Sequence, residues 1–255
     1  MTVVPAWRIA LALAVLVGIV LAVLTVARVR VRRDALVAVG RAAVQLTLVA
    51  LVIAWVFEHP GGVVVYLLLM LGAASWTAVR RIGLGRGTWP PVALAIVLGA
   101  LAAVVPVLAS GALPFQAQTV VPFSGQVIGG AMTAVSLSGG RLRDDLRAEW
   151  DQVEAWLSLG ATPRQAVAGQ ARRAVARSLV PALDQTRSAG LVTLPGAFVG
   201  LLLGGLSPAG AAQVQLLVLV GLLAAESVAA VVTVQLLAHR LGSRTPVPPG
   251  QGASG

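Results

Sequence analysis

Residues 5–33 read PAWRIALALAVLVGIVLAVLTVARVRVRR. From Ile9 to Ala27 there is no charged side chain, and then Arg28, Arg30, Arg32 and Arg33 follow in quick succession. About 20 apolar residues at roughly 1.5 Å each cross the hydrocarbon core of a bilayer. The run is too long for the apolar centre of a signal peptide, and its N-terminal flank carries one basic residue, Arg8. It reads as a spanning helix that ends in a basic, cytoplasmic flank.

The pattern repeats along the chain. Seven apolar segments qualify as spans: 5–27, 37–57, 62–79, 91–109, 119–138, 188–206 and 211–238. The first connection is basic, with Arg41 just beyond it. The third carries Arg80, Arg81 and Arg86. The fifth carries Arg141, Arg143, Arg147, Arg164, Arg172, Arg173, Arg177 and Arg187. The C-terminal end adds Arg240 and Arg244, while the second, fourth and sixth connections carry no Arg. Eighteen of the 19 arginines therefore fall on one side. The positive-inside rule makes that side cytoplasmic. The expected architecture is an all-α, polytopic membrane protein of about seven spans, with the N-terminus outside and the C-terminus in the cytoplasm. Residues 1–244 are expected to form one transmembrane domain in the cell membrane. Residues 245–255, rich in Pro, Gly and Ser, read as a disordered tail.

Composition agrees. Of 255 residues, 58% are hydrophobic and 11% charged, and the mean hydropathy is +0.90. Soluble domains carry about 25% charged residues. A soluble chain of this length has no core large enough to hide so much apolar surface. The net charge of +10 and pI of about 11.9 would suggest nucleic acid in a soluble protein. Here the charge is an orientation signal, and no nucleic-acid partner is expected. Cys is absent, which excludes disulfides, thiolate metal sites and Cys nucleophiles. His59 and His239 are the two histidines. They lie at span boundaries and fit no catalytic constellation, so the chain does not read as an enzyme.

Residues 139–187 are the sizeable part outside the spans. Leu142, Leu146, Trp150, Val153 and Leu157 recur at spacings of three and four, the signature of an amphipathic helix. Arg141/Asp145 and Arg147/Asp151 are placed for i,i+4 pairing. This helix is expected to prolong the fifth span. Gly160 then interrupts it, and Thr162-Pro163 is a start signal, a capping residue followed by Pro at the first helical position. The second helix places Val167, Ala171, Val175 and Leu179 on one face and Arg164, Arg172, Arg173 and Arg177 on the other. Such a pair either lies on anionic lipid headgroups or docks a cytosolic partner. The run from Glu154 through Ala155, Gly160, Ala161, Thr162 and Pro163 resembles the EAA loop, the ATPase-coupling element of ABC permeases.

The phosphate-binding P-loop requires a Lys, and this chain has none. Any ATP-Mg used for transport must bind a separate subunit, and this chain is expected to bind no cofactor itself.

The resemblance then narrows. Gly40-Arg41-Ala42-Ala43-Val44-Gln45-Leu46, Val121-Pro122 through Gly125 and Gly129 to Met132, and Leu142-Arg143-Asp144-Asp145-Leu146 follow one another in order. Next come Leu159-Gly160-Ala161-Thr162-Pro163-Arg164-Gln165-Ala166 and Gly190-Leu191-Val192-Thr193-Leu194-Pro195-Gly196, the last running on to Gly204-Gly205-Leu206-Ser207-Pro208. From Val39 onward the chain resembles the FetB (YbbM) family of ABC permeases. The resemblance implies a transmembrane subunit that pairs with a separate ATPase and with a second copy of itself. It implies export, of iron or another metal ion. Relatives linked to other solutes leave a different small solute open. The sequence departs from the family pattern at Gly130, where Asn is usual. An ATP-independent carrier or channel is the alternative outside this class.

Polar groups within the spans are the candidates for a pathway. Glu226 lies near the centre of the seventh span, at a cost of about 2.5–3.5 kcal/mol on insertion scales for an acid at that depth. It reads as a cation or proton site, or as a protonated Glu bonded to a neighbouring helix. Gln45 and Gln126 line a pore or bond between helices. Asp184 and Arg187 pair at the cytoplasmic mouth, for structure or for substrate. Pro195 lacks an N–H and is expected to kink the sixth span. Gly196, Gly200 and Gly204 form a small-residue stripe, and Gly125 and Gly129 a second one, for helix packing, gating or a dimer seam. Soft metal ligands are nearly missing, so iron would pass by oxygen ligands, and no metal ligand set is assigned.

Overall fold

A computed structural model describes residues 5–29, 31–59 and 61–242. The tail 245–255 and Arg244 lie outside the described residues. The described chain is helical and divides into two compact units, one ending at His59 and the other beginning at Gly61.

The first unit is a helical hairpin. α1 (Ala6–Val26) and α2 (Arg32–Glu58) are joined by a turn in which Arg28 adopts φ 55°. Arg32 Nη1 donates to Thr25 Oγ1 at 3.2 Å across that turn. Leu13, Leu16, Val17 and Leu21 of α1 share a small apolar pocket with Ala35, Leu36 and Val39 of α2.

The second unit contains α3 (Gly62–Ile82), α4 (Trp89–Ala109), α5 (Ala117–Ala148), α6 (Trp150–Ser158), α7 (Pro163–Ala166), α8 (Ala168–Ser188), α9 (Gly196–Leu203) and α10 (Pro208–Gly242). Its centre is α5, α4 and α10 packed together, with α3 against α5. Small residues let these backbones meet. An added Cβ at Gly99 would stand 2.7 Å from Ala225 O and 2.8 Å from Ala229 Cβ, and one at Gly139 would stand 2.8 Å from Ile82 Cδ1. The core is Ala- and Val-rich for the same reason: Ala78, Ala95, Ala131, Val127, Val135, Ala225 and Ala229 are all buried. α3 ends at Gly83, left-handed at φ 69°, and Arg143 of α5 donates to the Ile82 carbonyl beside it. This guanidinium satisfies one of the carbonyls that a helix end leaves free.

Six of these helices, α1 to α5 and α10, are long and apolar enough to cross a membrane. The expected sixth span, 188–206, does not form as one helix. Residues 189–195 make a turn instead, in which the Ser188 carbonyl accepts from the N–H groups of Leu191, Val192 and Thr193. Gly190 is left-handed at φ 84°, and Pro195 caps α9 rather than kinking a continuous helix. The cause is local. Gly190 and Gly196 favour no helix, and Pro195 cannot bond back to Leu191. α9 is then only eight residues, about 12 Å at 1.5 Å per residue.

α5 continues the fifth span for a further ten residues to Ala148 and yields to α6 at Glu149 (φ −118°, ψ 31°). That break separates Arg147 from Asp151, and the expected i,i+4 pairs give way to contacts between helices. Asp145 pairs with Arg177 of α8 and Glu149 with Arg173. Gln170 Nε2 donates to Glu149 Oε2 at 3.0 Å and to Gln152 Oε1 at 3.2 Å. As α8 numbers rise, α5 numbers fall, so the two helices run antiparallel. The basic face of the second amphipathic helix thus meets the acidic face of the first. Leu142, Leu146, Val153 and Val167 close a second core beneath them with Leu237 and Ala238 of α10.

Candidate functional site

α5, α8, α9 and α10 enclose a cavity of about 410 Å³. This lies within the range of about 300–1,000 Å³ typical of small-molecule sites. Helical spacing explains which side chains line it. Gln126, Gly130, Thr133 and Leu137 lie on one face of α5, and Gln215, Val218, Leu222 and Glu226 on one face of α10. Ser178, Ala182 and Gln185 come from α8, and Pro195 and Gly196 from the interruption before α9.

Among the described residues, Glu226 is the one ionisable side chain in this lining. It lies against Gly130, where an added Cβ would stand 2.8 Å from Glu226 Oε1 and 2.9 Å from Leu222 Cδ2. The carboxylate occupies the space that a side chain at position 130 would need. This gives a physical meaning to the Gly at that position, which the sequence showed only as a departure. Among the described residues no group of three or more His, Cys, Asp or Glu gathers.

The structure brings Gln126, Pro195, Glu226, Gly129 and Gly196 to this cavity. Asp184 and Arg187, both exposed, lie 3.7 Å apart at the end of α8 as a surface ion pair. Gln45 is on α2 in the first unit and is exposed. Gly125 faces Met70 of α3, whose Cε stands 3.3 Å from an added Cβ. Gly129, Gly196 and Gly200 have nothing within 4 Å of an added Cβ, and Gly204 meets only its own helix. Among the described residues of the second unit, no other backbone therefore uses the small-residue stripe on α9.

Gln215 escaped the sequence reading. It is only 6% exposed, and its Oε1 has no hydrogen-bond partner. Gln215 lines both this cavity and a smaller one of about 210 Å³ beside the interruption, with Leu194, Pro195 and Phe198. The available signal was the spacing of Gln215 and Glu226, eleven residues or three turns on one face.

The elbow around Gly160 is the second feature. Gly160, at φ 88°, ends α6, and the Ala161 N–H reaches back to the Trp156 carbonyl at 3.0 Å. Thr162 and Gln165 form a reciprocal capping box at the start of α7, with Pro163 at its first position. Gly160, Thr162 and Pro163 therefore shape the turn. Glu154 and Ala155 are exposed on α6. The side chains offered outward include Trp156, 53% exposed, and Leu159, 80% exposed. Trp156 lies off the buried stripe of Trp150, Val153 and Leu157, which is why the periodicity did not select it.

The described residues form a multi-pass helical protein with a partly polar cavity beside an interrupted helix. A family model described as "Uncharacterised protein family (UPF0014)" matches residues 7–241, and the chain belongs to this family. It is similar to "Protein ALUMINUM SENSITIVE 3" of Arabidopsis thaliana, 34% identical over 78% of this chain and 73% of that one. It is similar to "Probable iron export permease protein FetB" of Escherichia coli, 31% identical over 82% of each chain. "UPF0014 membrane protein YjkA" of Bacillus subtilis is 31% identical over 79% of this chain and 82% of its own length. No solved structure matches the chain. It is a multi-pass membrane permease of the cell membrane.

Proposed function

We propose that this chain is the membrane-spanning subunit of an ABC-type exporter for iron or another metal ion. A separate ATPase subunit supplies the ATP hydrolysis by docking on the elbow between α6 and α7. The observation that carries this reading is the continuity of the elbow with the cavity. α8 begins just after α7 and ends with Ser178, Ala182 and Gln185 in the cavity wall. A push on the elbow therefore moves one wall of the site. In this reading α8 and α9 together make the discontinuous sixth crossing, antiparallel to α5. Interrupted helices of this kind place substrate sites near the membrane midplane in transporters. The arginine distribution supports a cytoplasmic elbow. The similarity to a protein named an iron export permease supports both cargo and direction. The open glycine stripe on α9 suits close approach by a second copy of the chain, with lipid covering the remaining apolar surface.

The test is co-expression with a candidate ATPase and purification through a tag on this chain. The reading expects co-purification, ATP hydrolysis, and metal-ion flux into inverted membrane vesicles that needs ATP. Flux of equal size without ATP would instead make the chain a carrier. ATP-driven flux of an organic solute but of no metal ion would replace the cargo.

A further inference from the structure

Two polar residues line the cavity from one face of α10. One is Glu226, whose carboxylate lies over Gly130, and the other is Gln215, whose unpartnered Oε1 is itself buried. Eleven residues separate them, about 16 Å along a helix at 1.5 Å per residue. No bare ion touches both. Between their levels stands the amide of Gln126, and one turn beyond Gly130 the Thr133 hydroxyl donates to the Gly129 carbonyl at 3.0 Å. All these groups offer oxygen, and none offers sulfur or imidazole nitrogen.

The volume is as informative as the ligands. A cavity of about 410 Å³ has room for about a dozen waters at roughly 30 Å³ each. A dedicated inner cage for a dehydrated metal would need several carboxylates or carbonyls converging within 2–3 Å, and no such group gathers among the described residues. One carboxylate in a cavity with room for water suits a cation that keeps most of its water. Small hard divalent ions behave in this way, binding through one or two carboxylates and retaining several waters. Softer ions gain most from thiolate or imidazole and have no such partner here.

We propose that the cavity is a binding site for a hydrated hard divalent cation, held by Glu226. Gly130 is the residue that lets the carboxylate sit there. This deepens the metal-ion reading above and rests on it. It assigns the ligands and states that the cargo is carried with its water.

The probe is Mn²⁺, titrated into the purified full-length chain in lipid nanodiscs and read by electron paramagnetic resonance and water-proton relaxation. The wild type should bind Mn²⁺ and show relaxation enhancement from retained water. Glu226→Gln should weaken binding at least tenfold. Gly130→Ala, which keeps the charge but displaces Oε1, should weaken it several-fold in a chain that elutes and melts like the wild type. Gln215→Leu should have a smaller effect. Mg²⁺ should compete and Cd²⁺ should not. Equal binding by Glu226→Gln, absence of binding to the wild type, or stronger competition by Cd²⁺ than by Mg²⁺ would overturn the proposal. The titration needs no ATPase, so it fails separately from the assignment of an ATP-driven exporter.

Discussion

Replacing Gly99 with Ala tests the packing that holds the cavity walls in place. Gly99 is buried on α4 where α5 and α10 meet it. Its new methyl group would stand 2.7 Å from Ala225 O, 2.8 Å from Ala229 Cβ and 3.4 Å from Ala131 Cβ. None of these atoms belongs to a flexible side chain, so a helix backbone has to shift. Overpacking costs about 1–3 kcal/mol. Ala recovers up to about 1 kcal/mol through its better helix propensity. The expected net loss is about 1–2 kcal/mol, a fall of roughly 2–8 °C in melting midpoint for a chain of this size. Gly129→Ala is the control, because nothing lies within 4 Å of its added methyl. Its propensity gain is unopposed, so it should match or exceed the wild type. The assay is thermal unfolding followed by Trp fluorescence in one fixed detergent. A Gly99→Ala protein as stable as Gly129→Ala would refute the contact between α4 and α10.

Three further outcomes are expected. Trp156→Ala combined with Leu159→Asp should abolish ATPase co-purification while membrane insertion, followed by fractionation, stays normal. Gly160→Ala should destabilise the elbow by about 1–2 kcal/mol, because its left-handed backbone penalises a Cβ, and limited proteolysis should then cut between α6 and α7. Arg177→Asp should weaken the contact of α8 with α5, and adding Asp145→Arg should restore part of it. The coupling expected of a partly exposed pair is about 0.2–1 kcal/mol, read from a double-mutant cycle of melting midpoints.

The long apolar helices were legible because membrane spans announce themselves by length and hydropathy. The Gly160 elbow was legible because Gly, Thr and Pro carry direct backbone consequences. The segment 188–206 was not. Its composition is that of a span, yet Gly190 and Pro195 break it, and hydropathy does not register backbone geometry. The charge pairs failed similarly. An i,i+4 rule sees only one helix, whereas Asp145 and Glu149 found arginines on another. Glu226 stood out as an acid within a span, but its seat over Gly130 depends on the register between α5 and α10. Gln215 gave no signal by itself, since an amide becomes notable only when it is buried without a partner.

The absence of native Cys makes the central claim directly testable. A single Cys is introduced at Thr133, on the cavity wall, or at Ser110, exposed at the end of α4. Each variant is co-reconstituted with its ATPase, and ATP-driven metal-ion flux is measured before and after complete modification by a charged thiol reagent. The account predicts that modification at position 133 arrests flux while modification at 110 leaves it unchanged. Undiminished flux through a fully modified Thr133→Cys protein would contradict the claim that this cavity is the route.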